Sequence, residues 1–191
     1  AKLGAIYLDQ GSSLTIEESE WVLNTAVESV WLYAAGASTI ESVGNIFNNN
    51  TAQKSAVFQV ILQSHITDDG SKFEFNSVTQ ENSIGLISES VGNQFTRSRF
   101  AHNSAQGEDI ASQGKALYLI QSEVQFKLVE MEGNTADSSI INVYMMLSTL
   151  NVTDSVFFST DNSQNGITDS TATGYYVYAF DSHIQIENST F

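Results

Sequence analysis

The chain has 191 residues, contains neither cysteine nor proline, and carries 22 acidic against 7 basic residues, for a formal net charge of −15. The absence of cysteine excludes a disulfide framework and a thiolate metal site. The acidic balance argues against nucleic-acid binding, because phosphate recognition needs clustered Lys and Arg. No apolar run reaches the roughly 18 residues that predict a membrane-spanning helix, so membrane insertion is not expected.

From the N-terminus onward, two kinds of short apolar segment alternate. The first kind is rich in Val, Ile, Leu, Tyr and Phe, and occurs at 5–8, 30–34, 57–62, 84–87, 116–120, 140–147 and 175–180. The second kind is an eight-residue pattern that ends in a large apolar residue, at 14–21, 40–47, 66–73, 93–100, 124–131, 150–157 and 184–191. Apolar residues that alternate with period two predict strands, and the Ser, Asn, Gly, Asp and Thr clusters between them predict turns.

The last residue of the eight-residue pattern recurs at intervals of 26, 26, 27, 31, 26 and 34 positions. A repeat of about this length cannot bury its apolar face alone, so the units must stack. The Leu-x-x-Leu-x-Leu pattern of leucine-rich repeats is not present. The sequence therefore predicts an all-β parallel β-helix, a solenoid of about seven rungs, as one segment spanning residues 1–191.

The pattern also predicts two columns of aligned side chains. The core stack consists of Trp21, Phe47, Phe73, Phe100, Met131, Phe157 and Phe191. Three positions after each of its first five members stands an asparagine: Asn24, Asn50, Asn76, Asn103 and Asn134. Each asparagine alone could be a solvated turn residue. At a constant offset, they are expected to adopt the left-handed backbone conformation and to bond from rung to rung through their amides, as an asparagine ladder.

These motifs carry a family resemblance. Trp21-x-x-Asn24, Phe47-x-x-Asn50, Phe73-x-x-Asn76 and Phe100-x-x-Asn103 resemble the Phe-x-x-Asn half of the polymorphic outer membrane protein repeat, and Gly4-Ala5-Ile6 resembles its Gly-Gly-Ala-Ile half. Met131 stands at the Phe position of unit five, and Thr160 at the Asn position of unit six. The resemblance implies a right-handed, single-stranded β-helix at the cell surface that acts in adhesion.

Three N-glycosylation sequons begin at Asn49, Asn151 and Asn188. In a secreted eukaryotic protein they are expected to carry glycans, and the strand alternation places Asn151 outward.

Acidic residues also lie in two long predicted turns, at 106–114 and 159–174: Glu108, Asp109, Asp161 and Asp169. A solvated loop and a Ca²⁺ site are both open interpretations there, and no Asp-x-Asp-x-Asp-Gly loop supports the second. No cofactor is predicted.

Self-association is expected for two reasons. The first strand of several repeats is apolar on both faces, with Tyr118, Tyr144 and Tyr178 at equivalent positions. This face is either covered by the long turns or a neighbouring element, or it forms a lateral contact with another chain. The chain also opens on an apolar strand and stops at Phe191 within a repeat, which predicts a piece of a longer solenoid or a unit that stacks end to end in a fibre.

Some β-helices process polysaccharides. Such a site would need convergent carboxylates, with or without a basic residue, on adjacent rungs of one outer face. The outward positions are mostly Thr, Gln, Asn and Ser, and His65, His102 and His183 are too scattered for a Ser/His/Asp set. The sequence therefore predicts an extracellular structural or adhesive rod without catalytic, cofactor-binding or metal residues. A polysaccharide lyase or hydrolase is the alternative.

Overall fold

The computed structural model describes residues 5–80, 83–105, 115–136, 140–158 and 175–191. All regular secondary structure in these ranges is β-strand, and every strand pair is parallel. The strands form four sheets, named here A, B, C and D in the order in which the chain meets them. The predicted all-β parallel β-helix is therefore confirmed.

Sheets A and B contain the longer strands and have seven each within the described ranges. Sheet A consists of β1 (Ile6–Leu8), β5 (Leu32–Ala34), β9 (Ser55–Ile61), β13 (Ser83–Ser88), β17 (Lys115–Ile120), β21 (Ile140–Met146) and β24 (Tyr175–Phe180). Sheet B consists of β2 (Ser13–Glu17), β6 (Thr39–Val43), β10 (His65–Asp69), β14 (Asn93–Thr96), β18 (Glu123–Lys127), β22 (Thr149–Thr153) and β25 (His183–Glu187).

Sheets C and D contain shorter strands. Sheet C consists of β3 (Glu20–Val22), β7 (Ile46–Asn48), β11 (Lys72–Glu74), β15 (Arg99–Ala101), β19 (Glu130–Glu132) and β23 (Val156–Phe158). Sheet D consists of β4 (Thr25–Ala26), β8 (Thr51–Ala52), β12 (Ser77–Val78), β16 (Ser104–Ala105) and β20 (Thr135–Ala136). The eight-residue pattern thus corresponds to a strand of sheet B and the following strand of sheet C, with a corner between them. The strands of sheet D have two residues each, which is too short for an alternating pattern.

The number of rungs differs slightly from the prediction. Five turns of the coil have a strand in all four sheets. Within the described residues, the sixth turn has strands in sheets A, B and C, and the seventh has strands in A and B only. In the described part of the chain, the coil therefore has about five complete turns, followed by two that are described in part.

The core stack follows from the pairing of sheet C, in which Phe47, Phe73 and Phe100 are direct neighbours in adjacent strands. Their ring centroids are 4.9 and 4.5 Å apart, and the rings are nearly parallel. In-register parallel strands place equivalent side chains about 4.8 Å apart, which suits stacked rings. Burial is complete from Phe47 to Phe157, whereas Trp21 is partly buried and Phe191 is 45% exposed.

A second group of aromatic residues from sheets A and B fills the rest of the core. The ring of Phe58 packs edge-on against Phe73 at 5.8 Å. Gly85 lies beside Phe58 in the next strand, and a Cβ there would lie 2.3 Å from Phe58 Cζ and 2.8 Å from Leu117 Cδ2. The missing side chain of Gly85 therefore makes the room that the Phe58 ring occupies.

Candidate functional site

The five motif asparagines lie one above another at the corner between sheets C and D. The Nδ2 of each of the first four donates to Oδ1 of the asparagine in the next turn, at 3.0, 2.9, 3.1 and 3.0 Å from the first pair to the last. The same Oδ1 accepts the backbone N–H of the preceding asparagine, at 3.1, 3.1, 2.9 and 3.1 Å. Corner backbone groups lie between strands, so these side chains supply the partners that a sheet would otherwise provide.

The left-handed residue at this corner is not the asparagine but the residue before it. Leu23, Asn49, Phe75, His102 and Gly133 have φ of 57°, 52°, 53°, 53° and 57°. No ladder asparagine has a positive φ among the described residues. The expected left-handed asparagine is therefore wrong, because the chain bends one residue earlier and directs the asparagine side chain into the buried corner.

Two further ladders, which the sequence pattern alone did not reveal, lie at the corners between sheets A and B and between sheets B and C. Between sheets A and B the aligned residues are all serine: Ser12, Ser38, Ser64, Ser90, Ser122, Ser148 and Ser182. Here a serine Oγ accepts the backbone N–H of the preceding turn, as in Ser122 N to Ser148 Oγ at 3.1 Å. Between sheets B and C, Asn45 N donates to Ser71 Oγ at 3.1 Å and Ser155 N to Ser189 Oγ at 3.1 Å. Serine recurs at the repeat interval, but the general abundance of serine hides this signal.

One carboxylic acid lies inside the coil. Asp68 occupies an inward position of β10 and is fully buried, between Ser42 and Phe95 of the neighbouring strands. Its Oδ2 accepts a hydrogen bond from Ser98 Oγ at 2.5 Å, whereas Oδ1 has no partner. Burial raises the pKa of Asp68, and the hydroxyls of Ser42, Ser71 and Ser98 act in the opposite direction. Asp68 is therefore more easily protonated than a solvent-exposed aspartate, and it cannot reach a solvent-borne substrate.

The sequon asparagines lie at three different places on the surface. Asn49 is exposed at the corner between sheets C and D, and its Nδ2 donates to Asn48 Oδ1 at 2.8 Å. Asn151 is partly exposed on the outer face of β22, and Asn188 is exposed just after β25 with φ of 49°. None of the three belongs to a ladder.

The outer face of sheet C brings carboxylates and a basic residue together on adjacent turns. Arg99 forms ion pairs with Glu74 of the preceding turn and with Glu130 and Glu132 of the following one. Its Nε lies 3.3 Å from Glu130 Oε2, and its Nη2 lies 2.6 Å from Glu132 Oε2. The expectation that outward positions are mostly uncharged is therefore wrong for this face. Glu132 lies 33 positions from Arg99, so only the stacked coil makes them neighbours.

The chemistry of this cluster is limited by the charge of Arg99. Burial by itself lowers the pKa of Arg99, but hydrogen bonds to Glu132 and Glu74 outweigh burial, so its pKa is raised. Arg99 therefore stays a cation and cannot serve as a general base. The three carboxylates are engaged as its partners, which favours a structural role on the sheet surface.

The outer face of sheet A is aromatic. The ring of Tyr118 meets that of Tyr144 edge-on at 5.0 Å, and Tyr144 stacks on Tyr178 at 5.3 Å. Beside them Phe180 is 57% exposed. Burial raises the pKa of Tyr118 and of Tyr144, so both phenols stay neutral. The long turns expected as one alternative to cover this face are residues 106–114 and 159–174. Both ranges lie outside the described residues.

The outer face of sheet B is polar and mostly uncharged in its last turns. Its central outward column reads Thr15, Glu41, Thr67, Gln94, Gln125, Asn151 and Gln185. Charged outward residues occur along the whole face: Glu17, Glu41 and Asp69 in the first three turns, and Glu123, Lys127 and Glu187 in later ones. Asp69 accepts a hydrogen bond from Arg97 Nε at 2.9 Å. Sheets A, B and C therefore present three chemically different faces.

The described part of the chain contains no group of three or more His, Cys, Asp or Glu side chains arranged for a metal ion. The residues considered for Ca²⁺, namely Glu108, Asp109, Asp161 and Asp169, lie outside the described ranges. No helix with the length and apolarity needed to cross a membrane occurs in these ranges.

Comparison with family models, curated proteins and solved structures finds no match to this chain.

Proposed function

We propose that this chain is a non-catalytic, extracellular β-helix rod with a structural or adhesive role. Its stacked turns would form a stiff shaft, and its outer faces would make the contacts. Glycans on Asn49, Asn151 and Asn188 would lie on the surface without disturbing the ladders. The resemblance to surface-displayed Phe-x-x-Asn repeats favours the extracellular location.

The observation that carries this proposal is the set of ladders at three of the corners: between sheets A and B, B and C, and C and D. Asn50, Asn76 and Asn103 are fully or almost fully buried, and their amides bond to the turns on either side. Each turn is therefore tied to its neighbours by side-chain as well as backbone hydrogen bonds, in addition to the aromatic stack. Such continuous coupling along one axis suits a load-bearing shaft, because opening one turn also breaks contacts in the next.

The outer faces supply the surfaces for contacts with partners. The aromatic face of sheet A suits lateral association with another chain, since exposed apolar surface commonly marks interfaces. End-to-end stacking into a fibre would use the same in-register pairing that joins the turns within the coil. Both modes belong to the proposal as forms of self-association.

Electron microscopy of native material tests the proposal. We expect rods in fibres or surface spikes, and the intact mass should fall after enzymatic deglycosylation. Native protein found only as isolated particles inside the cell would contradict the rod at the surface. Equal masses before and after deglycosylation would remove the glycans from the proposal.

A carbohydrate-active enzyme is the second candidate, and the cluster around Arg99 is the observation that favours it. Carboxylates and a cation on adjacent turns of one face are what a polysaccharide-processing β-helix would need. An oligosaccharide-cleavage screen tests it, with Glu130→Gln as the site variant and Glu20→Gln as the matched control. Glu20 lies in the same outward column of sheet C but three turns away from Arg99. Turnover that Glu130→Gln abolishes and Glu20→Gln retains would replace the rod proposal with the enzyme.

A further inference from the structure

The last four described turns place four amide side chains in one column on the outer face of sheet B. This amide column consists of Gln94, Gln125, Asn151 and Gln185, each paired in register with the next. All four are exposed or partly exposed. At about 4.8 Å per strand, the column extends roughly 14 Å along the rod.

The amides of this column are not used to hold the coil together. The side chains of Gln94, Gln125 and Asn151 make no hydrogen bond to any described residue, and Gln185 donates only to Glu187 Oε1, at 2.8 Å. Stacked amides can bond to one another, as those of the asparagine ladder do. The amide column therefore leaves regularly spaced donors and acceptors directed at solvent.

The surroundings of the column indicate the chemistry of a ligand. Thr96, Thr149 and Thr153 add hydroxyls beside it. The opposite charges of Glu123 and Lys127 fall on one strand, and Glu187 is the one further charged residue on the outer face of these four strands. This low charge contrasts with the net charge of −15 for the whole chain. No Phe, Tyr or Trp lies on the outer positions of these four described strands, which disfavours an apolar peptide as the ligand.

We propose that the amide column binds an extended, neutral polysaccharide through hydrogen bonds to its hydroxyl groups. The proposal rests on the adhesive function above and names the class of ligand. An anionic polymer would be repelled by the acidic chain. The aromatic face of sheet A is the less suitable place for sugar rings, because Tyr144 and Tyr178 stack on each other, so those ring faces are not open to a sugar.

Asn151 connects this proposal to glycosylation. It is both a member of the amide column and the first residue of a sequon. A glycan on Asn151 would cover the column, so binding is expected in protein made without N-glycosylation and is expected to weaken when Asn151 is modified.

Affinity gel electrophoresis of the unglycosylated chain tests the proposal. The probes are hydroxyethyl cellulose, laminarin and galactomannan, with polygalacturonate as the anionic comparison. The site variant is Gln94→Ala with Gln125→Ala. The matched control is Gln53→Ala with Gln80→Ala, two exposed glutamines in adjacent turns that lie after sheet D. Thermal melts of both variants check that the fold is kept.

We expect at least one neutral polysaccharide to retard the wild-type chain. The site variant should bind it about fivefold more weakly per amide removed, since one net neutral hydrogen bond changes an equilibrium constant by roughly this factor. The control should bind like wild type. Equal retardation of all three proteins, or stronger retardation by polygalacturonate, would overturn the proposal. Failure of every neutral polysaccharide would overturn it too, while the rod proposal is judged separately by microscopy.

Discussion

Replacement of Asn76 by alanine tests the asparagine ladder directly. Asn76 is fully buried, and its Oδ1 accepts the backbone N–H and the Nδ2 of Asn50 at 3.1 and 2.9 Å. Its Nδ2 donates to Phe47 O at 2.9 Å and to Asn103 Oδ1 at 3.1 Å. Alanine leaves the Asn50 N–H buried without an acceptor, at a cost of about 1–3 kcal/mol, and the lost bonds to Phe47 and Asn103 add about 1 kcal/mol each. We therefore expect the free energy of unfolding to fall by about 3–5 kcal/mol.

Urea unfolding followed by the fluorescence of the buried Trp31 measures this loss. The comparison requires that the slope of the free energy of unfolding against urea concentration is the same in all variants. Asn48→Ala is the matched control. Asn48 is only half-buried in β7 of the adjacent turn, and its side chain accepts one hydrogen bond from the exposed Asn49. The control should change the free energy of unfolding by about 0.5 kcal/mol or less. A loss in Asn76→Ala no larger than that in Asn48→Ala would refute a stabilising role for the ladder.

Three further predictions concern the core. Phe73→Ala, in the middle of the aromatic stack, should lower the free energy of unfolding by about 3–5 kcal/mol, and a fully tolerated variant would contradict the stack. Burial raises the pKa of Asp68 above its ordinary 3.8, so the folded chain holds a proton that the unfolded chain releases. Stability should fall as pH rises from 3.8 through the raised pKa. Asp68→Asn should remove this dependence in thermal melts, and an unchanged slope would argue against a neutral Asp68. Gly85→Ala should destabilise by about 1–3 kcal/mol in urea unfolding, because its Cβ would overlap the Phe58 ring, and wild-type stability would rule out that contact.

The fold could be predicted because its strongest signal is periodic. Once Phe47, Phe73 and Phe100 recur at nearly constant intervals, in-register parallel pairing is the arrangement that stacks all of them in one core. The strands of sheet D could not be predicted in the same way, since two residues carry no alternation. The fourth strand of the first five repeats is therefore known only from the structure.

The serine ladder shows why part of the scaffold was missed. Ser122 and Ser148 recur at the repeat interval as regularly as the core residues do. Serine is also common in solvated turns, so its recurrence has no single structural meaning until the corner geometry is known. Asparagine was more informative only because it follows the aromatic residue at a constant offset.

The amino-acid sequence by itself determined the parallel coil and the identity of its core stack, because equivalent positions in a stacked repeat must coincide in space. Only the tertiary structure decided which polar groups meet across turns. Insertions make the intervals unequal, so Arg99 and Glu132 become neighbours although 33 positions separate them. Whether an acidic residue faces the core, as Asp68 does, or the solvent, as Asp69 does, likewise depends on a strand register that composition does not reveal.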